Sequence, residues 1–473
     1  MRNIIYVTTS LALVACGGSQ KSGLTKSADV PPPPAVSTAP IAATGTPPPR
    51  REVSKDAKAD YLAAMQSFNE AEKAGWNEQA CRSSADRFSS VVRAHSDLIE
   101  AQFMVGLSFE RCNLMQDAER AYQECTHMKG DSTKIAMALS NLGEIYYRAG
   151  KVDGAKQYWD SALKANGKLI GARIDVASME LEQMRQINNP KDTGWKKLEE
   201  DARFNLSNAL GVDSDSVEAY TQYALVWMEG WQINKNRLDL AKLMLDEGKK
   251  RNEKYAPLQN AYGLYYLHKG QLNQALAAFQ AAVDADPKFV EARVNAGLIT
   301  LGFRKYDTAK DMFGKAVDLA PKNYDAMIGL GVAQRGLGDL DGAEATYKKA
   351  MQIDPRQGDA YYNLGVLYKD FRANKQPDLQ ASIRTYKQAK DFFQQFLDKQ
   401  GEATDKTEAR NNMADCDKVV KQLEDFIKAQ ANQPPPPPAP PAAPAATPPA
   451  AGTGSAAPAG AGSGSGSAAP TKP

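Results

Sequence analysis

Small, aromatic and proline residues recur at a fixed interval along the middle of the chain. A glycine, two alanine positions, an aromatic residue and a proline each return every 34 residues. The recurring residues are Gly263, Gly297, Gly331 and Gly365; Ala275, Ala309 and Ala343; Phe279, Phe313 and Tyr347; Ala282, Ala316 and Ala350; and Pro287, Pro321 and Pro355. An alanine and an aromatic residue four positions later lie on one helix face, and a proline ends a helix. Each interval therefore predicts a helix–turn–helix hairpin.

This interval and these residues resemble the tetratricopeptide repeat (TPR). The resemblance implies an all-α fold, a TPR α-solenoid in which helix–turn–helix repeats form a right-handed superhelix. Weaker copies occupy residues 99–132, 136–169 and 217–254, and segments 56–94 and 170–210 lack most of the signature. We therefore predict degenerate repeats over 55–254, regular repeats over 255–400 and a capping helix over 401–432.

The first residues predict export. An apolar run from Ile4 to Ala15 follows Arg2, and it is too short to span a bilayer. The tetrapeptide that ends in Cys16, Leu-Val-Ala-Cys, resembles the lipobox of bacterial lipoproteins. That resemblance implies a signal peptide over 1–15 and a lipid, including palmitate, on Cys16. Because Gly17 replaces the aspartate that retains many lipoproteins at the inner membrane, it also implies an outer-membrane location. The alternative is an ordinary signal peptide with a chance cysteine.

Two segments have compositions that cannot form a core. Residues 16–54 are rich in Pro, Ala, Ser and Thr, and residues 433–473 contain Lys472 as their single charged side chain. Such composition predicts a disordered tether behind the lipid and a disordered tail at the other end. The run Pro434–Pro438 is either a ligand for an aromatic groove or a spacer.

The charge balance of the chain and its lack of catalytic sequence motifs limit the functions that we expect of it. With 58 Lys+Arg against 56 Asp+Glu, the chain lacks the basic excess of a nucleic-acid binder. It has three histidines, and it has no phosphate-binding loop, nucleophile elbow or zinc-binding helix motif. We therefore expect no enzymatic activity, no cofactor, no metal and no small-molecule substrate. Asp213 and Asp215 lack the other ligands of a calcium loop, so we interpret Asp215 as a helix N-cap with Glu218 at the third helical position.

The cysteines suit an oxidising compartment. Cys81 lies in the second helix of the first predicted hairpin, and Cys112 ends the following helix. Both lie about equally far from the turn near residues 95–97, so they should face each other across two antiparallel helices. We predict a Cys81–Cys112 disulfide, with buried free cysteines as the alternative.

In TPR proteins, positions in the first helix of each repeat line a concave groove that binds a partner. The corresponding residues here are Asn260, Leu264, Val294, Asn295, Leu298, Ile328, Val332, Tyr362, Asn363 and Val366, followed by the basic Arg335 and Lys369. This lining is apolar with amides, and it lacks the basic clamp that binds acidic C-terminal peptides. Asn141, Asn295 and Asn363 share one repeat position. They either hydrogen-bond the backbone of an extended ligand, or cap local turns and face water.

Taken as a whole, the chain resembles bacterial TPR outer-membrane lipoproteins, particularly those of the adventurous gliding-motility machinery of myxobacteria. The resemblance implies a lipid-anchored periplasmic scaffold whose partners are other envelope or motility-complex proteins, with the membrane reached through Cys16. Pilus or secretin assembly lipoproteins and activators of cell-wall synthases are the alternatives. A third alternative is an accessory that presents glycan to a hydrolase through Trp195, Trp227 and Trp231.

Overall fold

The computed structural model describes residues 53–187, 189–399 and 406–432. The predicted signal peptide, Cys16, the tether up to residue 52 and the 433–473 tail lie outside these residues. The described ranges contain no strand, and their α-helices are α1 (Lys55–Ala74), α2 (Glu78–Ala94), α3 (Ile99–Glu110), α4 (Met115–His127), α5 (Ser132–Arg148), α6 (Val152–Ala165), α7 (Ile170–Ile187), α8 (Thr193–Val212), α9 (Val217–Met228), α10 (Asn236–Arg251), α11 (Ala256–His268), α12 (Leu272–Ala285), α13 (Val290–Gly302), α14 (Tyr306–Leu319), α15 (Tyr324–Gly336), α16 (Leu340–Ile353), α17 (Asp359–Val366), α18 (Leu379–Lys399) and α19 (Thr407–Ala431).

Successive helices pair into hairpins, from α1/α2 to α17/α18. The second helix of a hairpin packs against the first helix of the next one, and most of the first helices also contact each other. This order of contacts is that of an α-solenoid, and the predicted all-α solenoid is confirmed.

The recurring residues build the interior of the regular hairpins. The alanines Ala275, Ala309 and Ala343 and the rings of Phe279 and Phe313 are fully buried. A Cβ atom placed on Gly297 would lie 2.7 Å from the Phe313 ring. Glycine at this position therefore lets the two helices of a hairpin approach with an aromatic ring between them.

The degenerate hairpins contain ordered insertions. The turn between α9 and α10 includes Gly230 at φ +69°, a conformation that glycine adopts without strain. The Arg237 guanidinium closes this turn: it donates to the carbonyls of Glu229 (2.6 Å) and Val226 (3.1 Å) and to the Glu199 carboxylate (2.8 Å). The extra residues are therefore fixed by one buried cation.

Helix ends follow local side-chain chemistry. The α12 helix ends before Pro287, and the Asp286 carboxylate accepts a hydrogen bond from the Lys288 backbone at 2.9 Å. The prediction that Asp215 caps α9 is wrong, because the N-cap is Ser216, whose hydroxyl accepts from the Ala219 backbone at 3.2 Å. Serine is as good an N-cap as aspartate and lies directly before the helix.

The last repeat departs from the 34-residue pattern in a way that the sequence did not predict. The first helix continues from α17 into a π-helical segment, Leu367–Arg372, and a 3₁₀ turn, Ala373–Lys375. The chain divides into two units at Val420, within α19. All the repeats lie in the first unit, and residues 421–432 are the described part of the second.

Candidate protein-binding surface

The predicted groove residues lie on the first helices of the hairpins. Each of these helices, from α3 to α17, follows the turn that ends the previous hairpin, so the 34-residue repeat places them side by side. We call the surface formed by α3, α5, α7, α9, α11, α13, α15 and α17 the A-helix surface.

Between α11 and α17 the A-helix surface is apolar. Leu264 and Val294 are buried, whereas Leu298, Ile328 and Val366 are half-buried. Val332 is at the limit of burial, at 9% exposed. Half-buried apolar side chains gain about 25 cal/mol for each Å² that a partner removes from water. The half-buried residues are therefore the part of the predicted lining with most surface left for a partner.

The predicted asparagines hydrogen-bond within the fold. Asn295 Nδ2 donates to Asn260 Oδ1 at 2.9 Å, and both residues are buried. Asn260 Nδ2 has no hydrogen-bond partner, which costs roughly 1–3 kcal/mol. Asn141 Nδ2 donates to the Tyr122 hydroxyl at 2.8 Å. These amides join neighbouring helices, a role that sequence reasoning did not consider.

The chain's own α19 covers the A-helix surface at the last repeat. The Tyr362 hydroxyl donates to Glu408 Oε1 at 2.9 Å, and Lys369 Nζ donates to Asn412 Oδ1 at 3.0 Å. Asn363 contacts α15, where Arg335 Nη1 donates to the Asn363 Oδ1 atom at 3.2 Å. Tyr362 and Asn363 are consequently occupied by contacts within the protein.

Between α3 and α9 the same surface carries carboxylates. Burial raises the pKa of Glu110, which accepts a hydrogen bond from Tyr122 at 2.6 Å and is repelled by Glu144. Burial, followed by repulsion from Glu144, raises the pKa of Asp175 to about 7, and Glu218 adds to this effect. We call Glu110, Glu144, Asp175 and Glu218 the carboxylate row.

No pattern in the sequence indicates this row. Its members come from four helices and are separated by 34, 31 and 43 residues, so they follow no common interval. Arg148, one turn after Glu144 on α5, pairs with it. Only the packing of α3, α5, α7 and α9 brings the carboxylates together.

The structure joins Cys81 and Cys112 in a disulfide, with an Sγ–Sγ distance of 1.98 Å and a Cα–Cα distance of 6.2 Å. Cys125 and Cys416 are buried free thiols. Burial raises the pKa of Cys125 to about 12 and that of Cys416 to about 11. Cys16, the predicted lipidation site, lies outside the described residues.

The tryptophans considered for glycan binding already have partners. Trp195 is buried, and the Arg237 guanidinium lies 5.5 Å from its ring. Trp227 packs against Arg203 at 4.3 Å and Arg237 at 5.2 Å. The Trp231 ring lies 5.3 Å from the His268 ring.

Within residues 53–187, 189–399 and 406–432, no three histidine, cysteine or carboxylate side chains group as metal ligands. In the same ranges, no helix has both the length and the apolar character to cross a membrane.

Three segments match models of the tetratricopeptide repeat: residues 137–167, 256–289 and 301–365. The chain therefore contains tetratricopeptide repeats in these three segments. This fold is that of a scaffold for protein–protein interactions.

Solved structures with the same repeat are distant from this chain. A TPR protein of Thermus thermophilus is 22% identical over 42% of this chain and 99% of its own, with a TM-score of 0.36. The type IV pilus biogenesis factor PilW is 17% identical over 49% of this chain and 98% of its own, with a TM-score of 0.36. Yeast Tom70 is 14% identical over 81% of this chain and 67% of its own, with a TM-score of 0.38. No curated protein matches the chain.

Proposed function

We propose that this protein is a lipid-anchored scaffold that holds partner proteins on its A-helix surface and performs no chemistry itself. The observation that carries the proposal is a pair of half-buried apolar side chains on consecutive first helices, Leu298 on α13 and Ile328 on α15. Because they lie on two neighbouring helices, they suit an elongated apolar segment of a partner better than a small molecule.

The anchor and the location are part of the same proposal. Cys16 follows an apolar run and a lipobox-like tetrapeptide, so we assign the lipid to its sulfur and the repeats to the periplasmic side of the outer membrane. Two or three acyl chains give a stable anchor where a single chain would not. The partners are then other envelope proteins, and we assign the complex to gliding motility.

The anchor is tested by crosslinking in intact cells, followed by recovery of wild type and Cys16→Ala. We expect wild type to recover motility proteins from the outer-membrane fraction and the variant to recover few of them. If both recover the same soluble partner, the lipid assignment is wrong. Recovery of pilus or cell-wall proteins would replace the gliding assignment.

The surface is tested by charge insertion. The double variant Leu298→Glu/Ile328→Glu places two carboxylates on the A-helix surface, and we expect it to lose the crosslinked partners while remaining in the membrane. The matched control is Leu272→Glu/Leu319→Glu, which alters two exposed leucines on the second helices α12 and α14. Equal loss in both variants would show that partners do not bind at the A-helix surface.

A further inference from the structure

Two boundaries between hairpins, α4/α5 and α16/α17, carry an equivalent hydrogen bond. Tyr146 on α5 donates to Glu119 on α4 at 3.0 Å. Tyr368, in the π-helical continuation of α17, donates to Glu344 on α16 at 2.9 Å. Both tyrosines lie three residues after the repeat glycine, and both carboxylates lie three residues before the buried aromatic ring of the second helix. A hydrogen bond of this kind, which is partly exposed to water, contributes about 0.5–1.5 kcal/mol.

The boundary between α2 and α3 cannot form this bond. Phe109 lies three residues after Gly106, and Ala85 lies three residues before the buried ring of Phe88. Neither Phe109 nor Ala85 has a polar side-chain atom. The Cys81–Cys112 disulfide crosses this boundary instead.

The other polar links at this boundary are weak. Ser84 and Ser108 share one buried hydrogen bond at 2.9 Å. The ion pairs Arg82–Asp117 and Arg111–Glu72 are long, at 3.5 Å each, and largely exposed, so each contributes little. The N-terminal hairpin also has aromatic contacts of its own, including Phe68 with Phe88 at 6.3 Å between ring centroids.

We propose that the Cys81–Cys112 disulfide is a redox-sensitive latch that holds the N-terminal hairpin, residues 53–94, on the repeat array. Cys112 is half-buried in the turn after α3, whereas Cys81 is fully buried. A dithiol reductant therefore attacks Cys112 Sγ, the S–S bond breaks, and Cys81 leaves as a thiolate. The second thiol of the reductant displaces Cys112 and closes a cyclic disulfide, so two electrons pass to the protein and both cysteines take up a proton.

Reduction of the disulfide is coupled to movement of α2 away from α3. A thiolate in a buried, apolar position is disfavoured, so departure of Cys81 is favoured when α2 moves away from α3. Removing a cross-link that closes a loop of 31 residues should raise the population of the open hairpin roughly 100- to 400-fold. Opening exposes Ser108 of α3, which is buried in the closed form and contacts Ser84 of α2.

Hydrogen exchange of the full chain tests the latch. Amide exchange is measured for the oxidised protein, for the protein reduced with dithiothreitol, and after reoxidation. We expect amides of α2 to exchange roughly 100- to 400-fold faster after reduction and to recover on reoxidation, with amides of α11–α16 unchanged. The Cys81→Ala/Cys112→Ala variant should behave like the reduced protein in oxidising buffer.

The Cys125→Ala variant is the matched control, since it removes a buried thiol and keeps the disulfide; its oxidised form should exchange like wild type. Unchanged exchange in α2 after reduction would overturn the latch, because packing alone would hold the hairpin. Equally faster amide exchange in all helices from α1 to α18 would also overturn the latch, since the disulfide would then stabilise the whole array. If the double variant fails to fold, the cycle of reduction and reoxidation on wild type still decides between these outcomes.

Discussion

The regular hairpins α11–α16 and the degenerate hairpins α3–α10 share one architecture but are stabilised by different interactions. In the regular hairpins, a glycine faces an aromatic ring, as Gly297 faces Phe313, and the degenerate hairpin α3/α4 keeps this contact between Gly106 and Tyr122. The degenerate hairpins add a buried arginine with three acceptors, aromatic–arginine stacks and the carboxylate row. Where the repeat signature weakens, specific polar contacts therefore supplement apolar packing, and each of these contacts should be sensitive to a single substitution.

The largest loss in the free energy of unfolding is expected for Arg237→Ala. Arg237 and its partner Glu199 have side chains only 10% and 13% exposed, and the substitution leaves that carboxylate and two backbone carbonyls without their donor. Breaking a buried pair from one side costs about 3–5 kcal/mol. Urea unfolding should show this loss, while Arg384→Ala, at an exposed position on α18, should change stability by less than about 0.5 kcal/mol. A similar loss for both variants would mean that the turn does not depend on the buried cation.

The carboxylate row predicts a pH-dependent effect at Asp175. Its pKa is raised to about 7 in the folded protein, so the folded state binds this proton more tightly than the unfolded state does. The stability from this group is complete below about pH 4 and is lost as pH rises to about 7. Asp175→Asn should therefore stabilise the protein at pH 8, by about 2–4 kcal/mol, and have little effect near pH 4. Unfolding curves at both pH values check this; a gain of the same size from Asp391→Asn, at an exposed position on α18, would contradict it.

In the regular hairpins, replacing each of two glycines of α13 by alanine should change the free energy of unfolding in opposite directions. Gly297→Ala places a methyl group against the Phe313 ring, and such overpacking costs about 1–3 kcal/mol. Gly302→Ala, at the end of α13, meets no atom within 4 Å and should stabilise the helix by up to about 1 kcal/mol. Thermal unfolding of both variants gives the comparison. If both substitutions destabilise the protein, contact with the Phe313 ring does not explain why α13 needs glycine.

The smallest effect concerns the bond between hairpins at Tyr368 and Glu344. A double-mutant cycle with Tyr368→Phe and Glu344→Ala should give a coupling free energy of about 0.5–1.5 kcal/mol. The cycle is needed because Glu344 also accepts from Lys348 and pairs with Arg372. A coupling of zero would mean that this hydrogen bond exchanges freely with water and adds nothing to the boundary.

The period of 34 residues was enough to predict the hairpins, because Gly297, Ala309 and Phe313 act within one repeat and pack for reasons of size alone. The pairing of Asn295 with Asn260 could not be predicted in this way, since it depends on the offset between two first helices. The same is true of the carboxylate row, whose members follow no common interval. The N-cap prediction at Asp215 was wrong because the next residue, Ser216, belongs to a type that caps helices equally well and lies directly before α9.

The position of α19 gives the A-helix surface a closed end. An elongated partner that lies across α11, α13 and α15 meets Glu408 and Asn412 before it reaches α17. With neighbouring helices about 10 Å apart, the open stretch is roughly 30 Å wide, which an extended chain crosses in about nine residues. Helix α19 would thus fix the register of a bound segment. A partner with a longer apolar segment would have to end at α19 or leave the A-helix surface there.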